Sequence, residues 1–94
     1  MSKFLMLGNY TSHATMGISK ARTKQVDSLI KENGGEMLEI SGLLGAYDIY
    51  IRATFPSNEV AIRCSLALTK LTGITFSSFP AVEVVDFDDL VADI

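Results

Sequence analysis

Four short stretches of this 94-residue chain are rich in apolar or β-branched residues and are bounded by glycine, proline or polar clusters, which predicts four β-strands. The predicted strands run from Phe4 to Tyr10, from Glu36 to Leu44, from Asp48 to Phe55 and from Ile74 to Phe79. The third alternates most clearly, since Ile49, Ile51 and Ala53 are separated by more polar residues. This strand should therefore have one buried face and one solvent-exposed face, here called its wet face.

Between these strands, two longer stretches repeat apolar residues every three or four positions, which predicts two helices that each bury one face. The first begins at Ile18 and ends at Gly34-Gly35, where a residue at positive φ closes a helix and turns the chain. The second begins after Pro56 and runs to about Thr72.

Beyond the fourth strand, Pro80 marks either an edge strand or a break, because proline lacks the N–H group that a central strand needs. Residues Ala81 to Val85 suit a short fifth strand, and Asp86 to Ile94 form an acidic tail that we expect to be partly helical. A single domain is thus expected over residues 1–94, with its core at about 3–82 and the tail at 83–94.

The resulting order, β-α-β-β-α-β, is that of the ferredoxin-like sandwich, an α+β fold in which both helices cover one face of an antiparallel sheet. The opposite face, here called the open face, has no covering layer of its own. Alternation assigns to this open face the side chains of Met37, Glu39, Ser41, Tyr50, Arg52, Thr54, Ser77 and Phe79. Such a mixture suits either a dimer contact or the wall of a ligand cavity between two subunits.

Composition adds a reason to expect a partner. Hydrophobic residues make up 48% of the chain and charged residues 20%, with a mean hydropathy of +0.29. A chain of this length buries only about 60 to 65% of its unfolded surface when it folds alone. The excess of apolar residues therefore predicts a partner surface, and we expect a homodimer or a higher homo-oligomer.

Charge and cysteine content narrow the class of protein. The net charge of −3 and the pI near 4.9 disfavour direct binding to nucleic acid, and no apolar run reaches the roughly 18 residues of a membrane span. The N-terminal apolar run stops at Gly8, which is short for a signal peptide. Cys64 has no cysteine to pair with and is expected to be a buried apolar residue. We therefore expect a cytoplasmic protein.

His13 is the only histidine of the chain and lies in a predicted loop of threonine and serine residues. Its imidazole has the chemistry of a base or a haem ligand, but no second histidine or cysteine stands at a metal-ligand spacing. A surface role is favoured, and neither a metal nor another cofactor is predicted. Tyr10 and Tyr50 are candidate pocket residues that equally suit packing.

Tyr47 and Asp48, at the start of the third strand, form a further candidate. An aspartate here orients a tyrosine hydroxyl or accepts a ligand's proton, but aspartates also bond backbone amides in turns, and the turn interpretation is favoured. Arg52, on the wet face, either clamps the carboxylate of a ligand or pairs with Glu39 of the neighbouring strand, and pairing is favoured.

At the entry to the third strand, Gly45-Ala46-Tyr47-Asp48 resembles the motif of the GYD family, which is named for a glycine, a tyrosine and an aspartate at this turn. Further stretches that are similar to that family are Asn9-Tyr10-Thr11, Gly17-Ile18, Gly34-Gly35 and Gly73-Ile74-Thr75. The resemblance therefore spans roughly residues 4 to 82. It departs from the family at Ala46, where an acidic residue is usual, and in a short stretch between Gly17 and Val26.

The resemblance implies a dimeric α+β barrel, in which two open sheets face each other across a cavity, but it implies no settled activity. Our first hypothesis is a homodimer that binds a small molecule or a protein partner in or near that cavity. The alternative is a cofactor-poor oxygenase or isomerase. The residues of this alternative site would be His13, Tyr47, Asp48 and Arg52. A third possibility, an effector-binding partner of a DNA-binding protein, requires a separate DNA-binding chain.

Overall fold

The computed structural model describes all residues from 1 to 94 and contains four strands and four helices. In chain order these are β1 (Ser2–Asn9), α1 (Ser12–Met16), α2 (Lys20–Glu32), β2 (Glu36–Gly42), β3 (Ile49–Phe55), α3 (Asn58–Thr72), β4 (Thr75–Ala81) and α4 (Val84–Val91). The strands form one antiparallel sheet in the order β2-β3-β1-β4. The predicted ferredoxin-like α+β fold is therefore confirmed, whereas the dimer stays a prediction.

The central strand β1 fixes the arrangement of the sheet, because it pairs with β3 on one side and with β4 on the other. Leu5 lies opposite Arg52 of β3 and opposite Phe79 of β4. Alternation along β1 then sends Phe4 and Met6 toward the helices, where both are buried. The neighbours of Leu5 on the opposite face are thereby fixed as well.

Helices α2 and α3 cover one face of the sheet and form the core with it. β3 contributes a buried side chain at every second position, and α3 contributes Ala61, Cys64 and Leu68. Phe4 and Phe55 meet edge to face, with their ring centroids 5.7 Å apart. Burial raises the pKa of the Cys64 thiol to about 11. This thiol is therefore protonated at neutral pH and behaves as the buried apolar residue that the sequence predicts.

The segment that follows β1 corrects the sequence analysis. Residues 12–16, expected to form a loop, form the short helix α1, which the Thr11 side chain caps. The next helix was expected to begin at Ile18, but α2 begins one residue after Ser19. The Ser19 hydroxyl accepts a hydrogen bond from the Arg22 N–H at 3.0 Å and so sets the first turn. Ile18 therefore lies outside the helix and is exposed.

The second strand differs from its prediction in the side chains it presents. A β-bulge at Leu38 inserts an extra residue between Met37 and Glu39 in the pairing with β3. Because an extra residue reverses the alternation, Met37 faces the helices and packs against the core, contrary to its expected place on the open face. Leu38 is exposed instead. The strand also ends at Gly42, earlier than the predicted Leu44.

The predicted fifth strand over Ala81 to Val85 is absent. β4 continues through Pro80, which an edge strand tolerates because no neighbour needs its missing N–H group. The last residue of β4, Ala81, pairs with Lys3 near the start of β1, so little strand remains for further pairing. Val84 begins the helix α4 instead, and the helical part of the acidic tail therefore starts earlier than expected.

The helices are short. The longest, α3, has 15 residues, and no helix of the chain combines the length and the apolar character that a bilayer span requires.

We expect Gly35→Ala to destabilise the fold, because the added methyl group would lie 2.5 Å from the Thr54 carbonyl oxygen and 2.8 Å from the Phe55 ring. The free energy of unfolding, measured by denaturant titration, should fall by about 1 to 3 kcal/mol. Gly42→Ala is the matched control, since its methyl group would meet no atom within 4 Å. Equal stability of the two variants would contradict the close packing described for Gly35.

Candidate functional site

The open face of the sheet has no helix packed on it and carries the candidates of β3. At its centre, Leu5 and Leu7 of β1 lie half-buried between β3 and β4. Arg52 and Tyr50 stand beside them on β3, and Phe79 stands beside Leu5 on β4 with 47% of its surface exposed. An apolar strip therefore crosses the middle of an otherwise polar face.

A line of polar contacts runs across this face from β2 to the C-terminal tail. The Tyr50 hydroxyl donates a hydrogen bond to Glu39. Arg52 pairs with Glu39 at 3.9 Å, as predicted, and more closely with Glu83 at 3.3 Å. The Lys3 ammonium group donates to the same Glu83 oxygen at 2.8 Å. The Glu83 carboxylate is thus held between two cations that belong to two neighbouring strands.

A pocket of about 330 Å³ lies on the open face where Lys3, Arg52 and Glu83 meet. Its charged residues are Lys3, Arg52 and Glu83, and its apolar lining includes Leu5 and Leu38. The bulge in β2 is what turns Leu38 toward this pocket. The pocket therefore combines two cations with an apolar wall, which is the chemistry that recognises a carboxylate attached to an apolar group.

Thr54 is a second unusual feature of this face. It lies opposite Lys3 in the register of β1 and β3, and its hydroxyl is buried without a hydrogen-bond partner. An unpaired buried hydroxyl costs about 1 to 3 kcal/mol, and such groups are rare in folded proteins. The structure therefore has an unsatisfied polar group opposite Lys3, which lines the pocket.

The electrostatics of Glu83 follow from its two cationic neighbours. The hydrogen bond from Lys3 lowers the pKa of the Glu83 carboxyl, and the charges of Lys3 and Arg52 lower it further. Glu83 is also the residue before the first turn of α4, but its side chain makes no capping hydrogen bond there. Its carboxylate is engaged on the open face instead, so Glu83 ties the start of α4 to that face.

Asp48 has a structural role in the single chain. Its carboxylate accepts a hydrogen bond from the Tyr10 N–H at 2.8 Å, its own N–H donates to the Gly8 carbonyl, and its carbonyl accepts from the Leu43 N–H. These contacts match the favoured interpretation, in which Asp48 bonds backbone amides. The amide that its side chain bonds, that of Tyr10, lies after β1 and not in the turn between β2 and β3. Tyr47, just before it, is half-buried and borders none of the larger cavities.

Tyr10 and His13 lie at the same end of the sheet as Asp48. The Arg22 guanidinium stacks over the Tyr10 ring, 5.4 Å from its centroid, and donates a hydrogen bond to the Ala14 carbonyl. Tyr10 borders a cavity of only about 40 Å³ between the sheet and α2. His13 is exposed on α1, which is a helix and not the expected loop. Neither residue reaches the pocket on the open face.

The structure thus brings Tyr50 and Arg52 together, through Glu39, and places the other four predicted site residues elsewhere. Sequence reasoning missed Lys3 and Glu83. Lys3 could have been found, because it stands two positions before Leu5 and alternation along a strand places both side chains on the same face. No local pattern indicated the second, because Glu83 meets Lys3 across a separation of 80 residues.

The acidic, histidine and cysteine side chains do not converge anywhere on the chain in a group of three or more that could hold a metal ion.

Comparison with protein families gives a match to the GYD domain over residues 4–91 of the 94. This match confirms the resemblance drawn from the sequence. No curated protein sequence matches the chain significantly.

We expect Lys3→Gln to raise the pKa of Glu83 toward its ordinary value of 4.5, because Lys3 supplies the largest share of the lowering. Since this pKa is depressed in the folded chain, the anchoring contact is complete near neutral pH and is lost as the pH falls through the folded value. Carbon-detected NMR titration of the Glu carboxyl groups measures the change. Lys31→Gln, which removes a lysine paired with Asp27 on α2, is the control and should leave Glu83 unchanged.

Proposed function

The chain belongs to the GYD domain family, and we propose that it acts as a homodimer whose facing open sheets enclose a cavity for a small carboxylate-bearing molecule. The observation that carries this proposal is the Glu83 carboxylate, held by Lys3 and Arg52 beside an apolar wall. An internal carboxylate already occupies the position that the carboxylate of a ligand would take. A ligand that adds apolar contacts with Leu5 would compete with Glu83 for the two cations.

The apolar strip supports a second copy of the chain as the cover of the open face. Four strands about 4.8 Å apart, with seven or eight residues that each rise about 3.4 Å, present a face of roughly 19 by 24 Å. Two such faces in contact would bury about 900 Å², close to the ~1,000 Å² that a specific interface needs. Leu5, Leu7 and Phe79 would supply its apolar centre. These dimensions are compatible with a dimer through the open faces, with the pocket at one end of the contact.

The enzymatic alternative has less support. Asp48 already accepts a backbone hydrogen bond, and His13, Tyr47 and Asp48 border none of the larger cavities of the single chain. A catalytic site built from these residues and Arg52 would need groups that the fold keeps at separate places. An oxygenase or isomerase therefore ranks second, and a cytoplasmic location stays a prediction.

Replacing Leu7 by aspartate tests the dimer, because it places a charge in the middle of the proposed contact. We expect the wild-type chain to show twice the monomer mass of 10.2 kDa at micromolar concentration and Leu7→Asp to show the monomer mass. Sedimentation over a dilution series measures both. Leu44→Asp is the control, since Leu44 is fully exposed in the loop between β2 and β3, outside the strands that form the open face. A wild-type chain that remains monomeric would overturn the dimer.

Benzoate tests the pocket, because it joins a carboxylate to an apolar ring, and benzyl alcohol is its uncharged control. At a concentration about tenfold above its dissociation constant, we expect benzoate to raise the melting temperature of the wild-type chain by about 7 °C. Arg52→Gln should abolish this shift. Glu83→Gln should enlarge it, because the internal competitor for Lys3 and Arg52 is weakened.

The comparison is made for each variant with and without the probe, so changes in its own stability cancel. An equal shift with benzyl alcohol, or an unchanged shift in Arg52→Gln, would contradict recognition of a carboxylate at this pocket. A smaller shift in Glu83→Gln would show that Glu83 does not compete with the ligand.

A further inference from the structure

The C-terminal helix α4 presents an apolar stripe that nothing in its own chain covers. Val84, Phe87, Leu90 and Val91 recur at intervals of three and four and therefore lie along one side of the helix. All of them are exposed, including Phe87 at 54% and Leu90 at 67%. α4 has no buried residue, so its stripe needs a partner if the helix is to persist in water.

The charges of the chain are divided between its body and this tail. Residues 1–70 hold all eight lysine and arginine residues and six acidic residues, which gives a net charge of +2. Residues 71–94 hold five acidic residues and no basic one, which gives −5. In α4, Asp86 and Asp88 flank the apolar stripe on its two sides. The helix is therefore suited to a groove with an apolar floor and basic walls.

Such a groove exists on the outer surface of the helical layer. It lies between α2 and α3, has a volume of about 480 Å³, and contains Leu29, Ala67 and Leu71. Lys24 rises from α2 and Lys70 from α3, so each wall carries one cation. The groove also contains one acidic residue, Glu32, while Arg63 borders the adjoining cavity on the same surface. Its net charge is thus opposite to that of α4.

The groove is not within easy reach of the α4 of the same chain. Glu83, directly before α4, is held by Lys3 and Arg52 on the open face. The groove lies on the far side of the sheet, beyond the helices that cover the other face. The α4 of a second copy meets no such restraint.

We propose that α4 of one copy docks into the groove between α2 and α3 of a second copy, with Phe87 and Leu90 on the apolar floor and the flanking aspartates beside Lys24 and Lys70. This contact joins two different surfaces, so it is heterologous and is independent of the proposed pairing of open faces. A helix of eight residues is about 12 Å long, which fits within the length of α2 and α3. The acidic flanks favour this groove over an anionic membrane surface or nucleic acid.

A complementation experiment tests the contact with full-length chains. The groove variant Lys24→Glu/Lys70→Glu keeps an intact α4, and the tail variant Phe87→Ser/Leu90→Ser keeps an intact groove. Both also carry Leu7→Asp, so pairing of the open faces cannot contribute. The test therefore remains valid even if the proposed dimer through the open faces does not form. We expect each variant alone to sediment at 10.2 kDa and their mixture to form a 1:1 complex at about 100 µM.

The complex should dissociate when the salt concentration is raised, because exposed charge pairs are screened. A mixture that stays at the monomer mass would overturn the proposal, whether α4 is free or folds onto its own chain. Circular dichroism of each variant shows that the fold is intact.

Adding Asp86→Lys/Asp88→Lys to the groove variant reverses both charge sets, and this chain should then associate with itself. Its failure to do so would contradict the proposed pairing of charges.

Two controls separate the contact from general effects of charge and hydrophobicity. Lys20→Glu/Lys31→Glu changes the net charge of the chain by the same amount as the groove variant, but neither lysine borders the groove. Val85→Ser removes an exposed apolar residue of α4 that lies outside the stripe. Lys20→Glu/Lys31→Glu added to the tail variant, and Val85→Ser added to the groove variant, should each leave the 1:1 complex with the other variant intact. Loss of the complex in either control would contradict the assignment of the contact to the stripe and the groove.

Discussion

The antiparallel pairing of β1 with β3 and β4 is the interaction on which the core and the open face both depend. It sets Leu5 opposite Arg52 and Phe79 at the same time. A shift of one residue would turn Phe4 and Met6 out of the core and bring polar groups into it. Burial of these two side chains therefore fixes the register, and the register fixes which groups meet on the open face.

The loop that carries the family motif serves this same pairing. Gly45 has a φ of +137°, a backbone conformation that favours glycine, and Asp48 then bonds the chain at the end of β1 through Gly8 and Tyr10. The aspartate of the motif thus holds the connection between β2 and β3 against the central strand. In this chain the recognisable motif is a structural device, and the pocket lies near the other end of β1.

The pocket depends on two irregularities that bring distant residues together. The bulge at Leu38 turns this side chain toward Leu5, and the turn after β4 brings Glu83 back to Lys3 and Arg52. Glu83 belongs at once to the pocket and to the start of α4. The open face and the tail are therefore connected through one carboxylate, although their apolar surfaces are separate.

The sequence by itself determined the four strands, the two covering helices and the open face, because periodicity in burial is a local property of the chain. It also placed Tyr50 and Arg52 on that face and Cys64 in the core. Only the tertiary structure decided that Met37 faces inward, since a bulge arises from pairing with β3. Likewise, the meeting of Glu83 with Lys3 joins residues 80 positions apart, and no local pattern encodes a contact that depends on the register of a whole sheet.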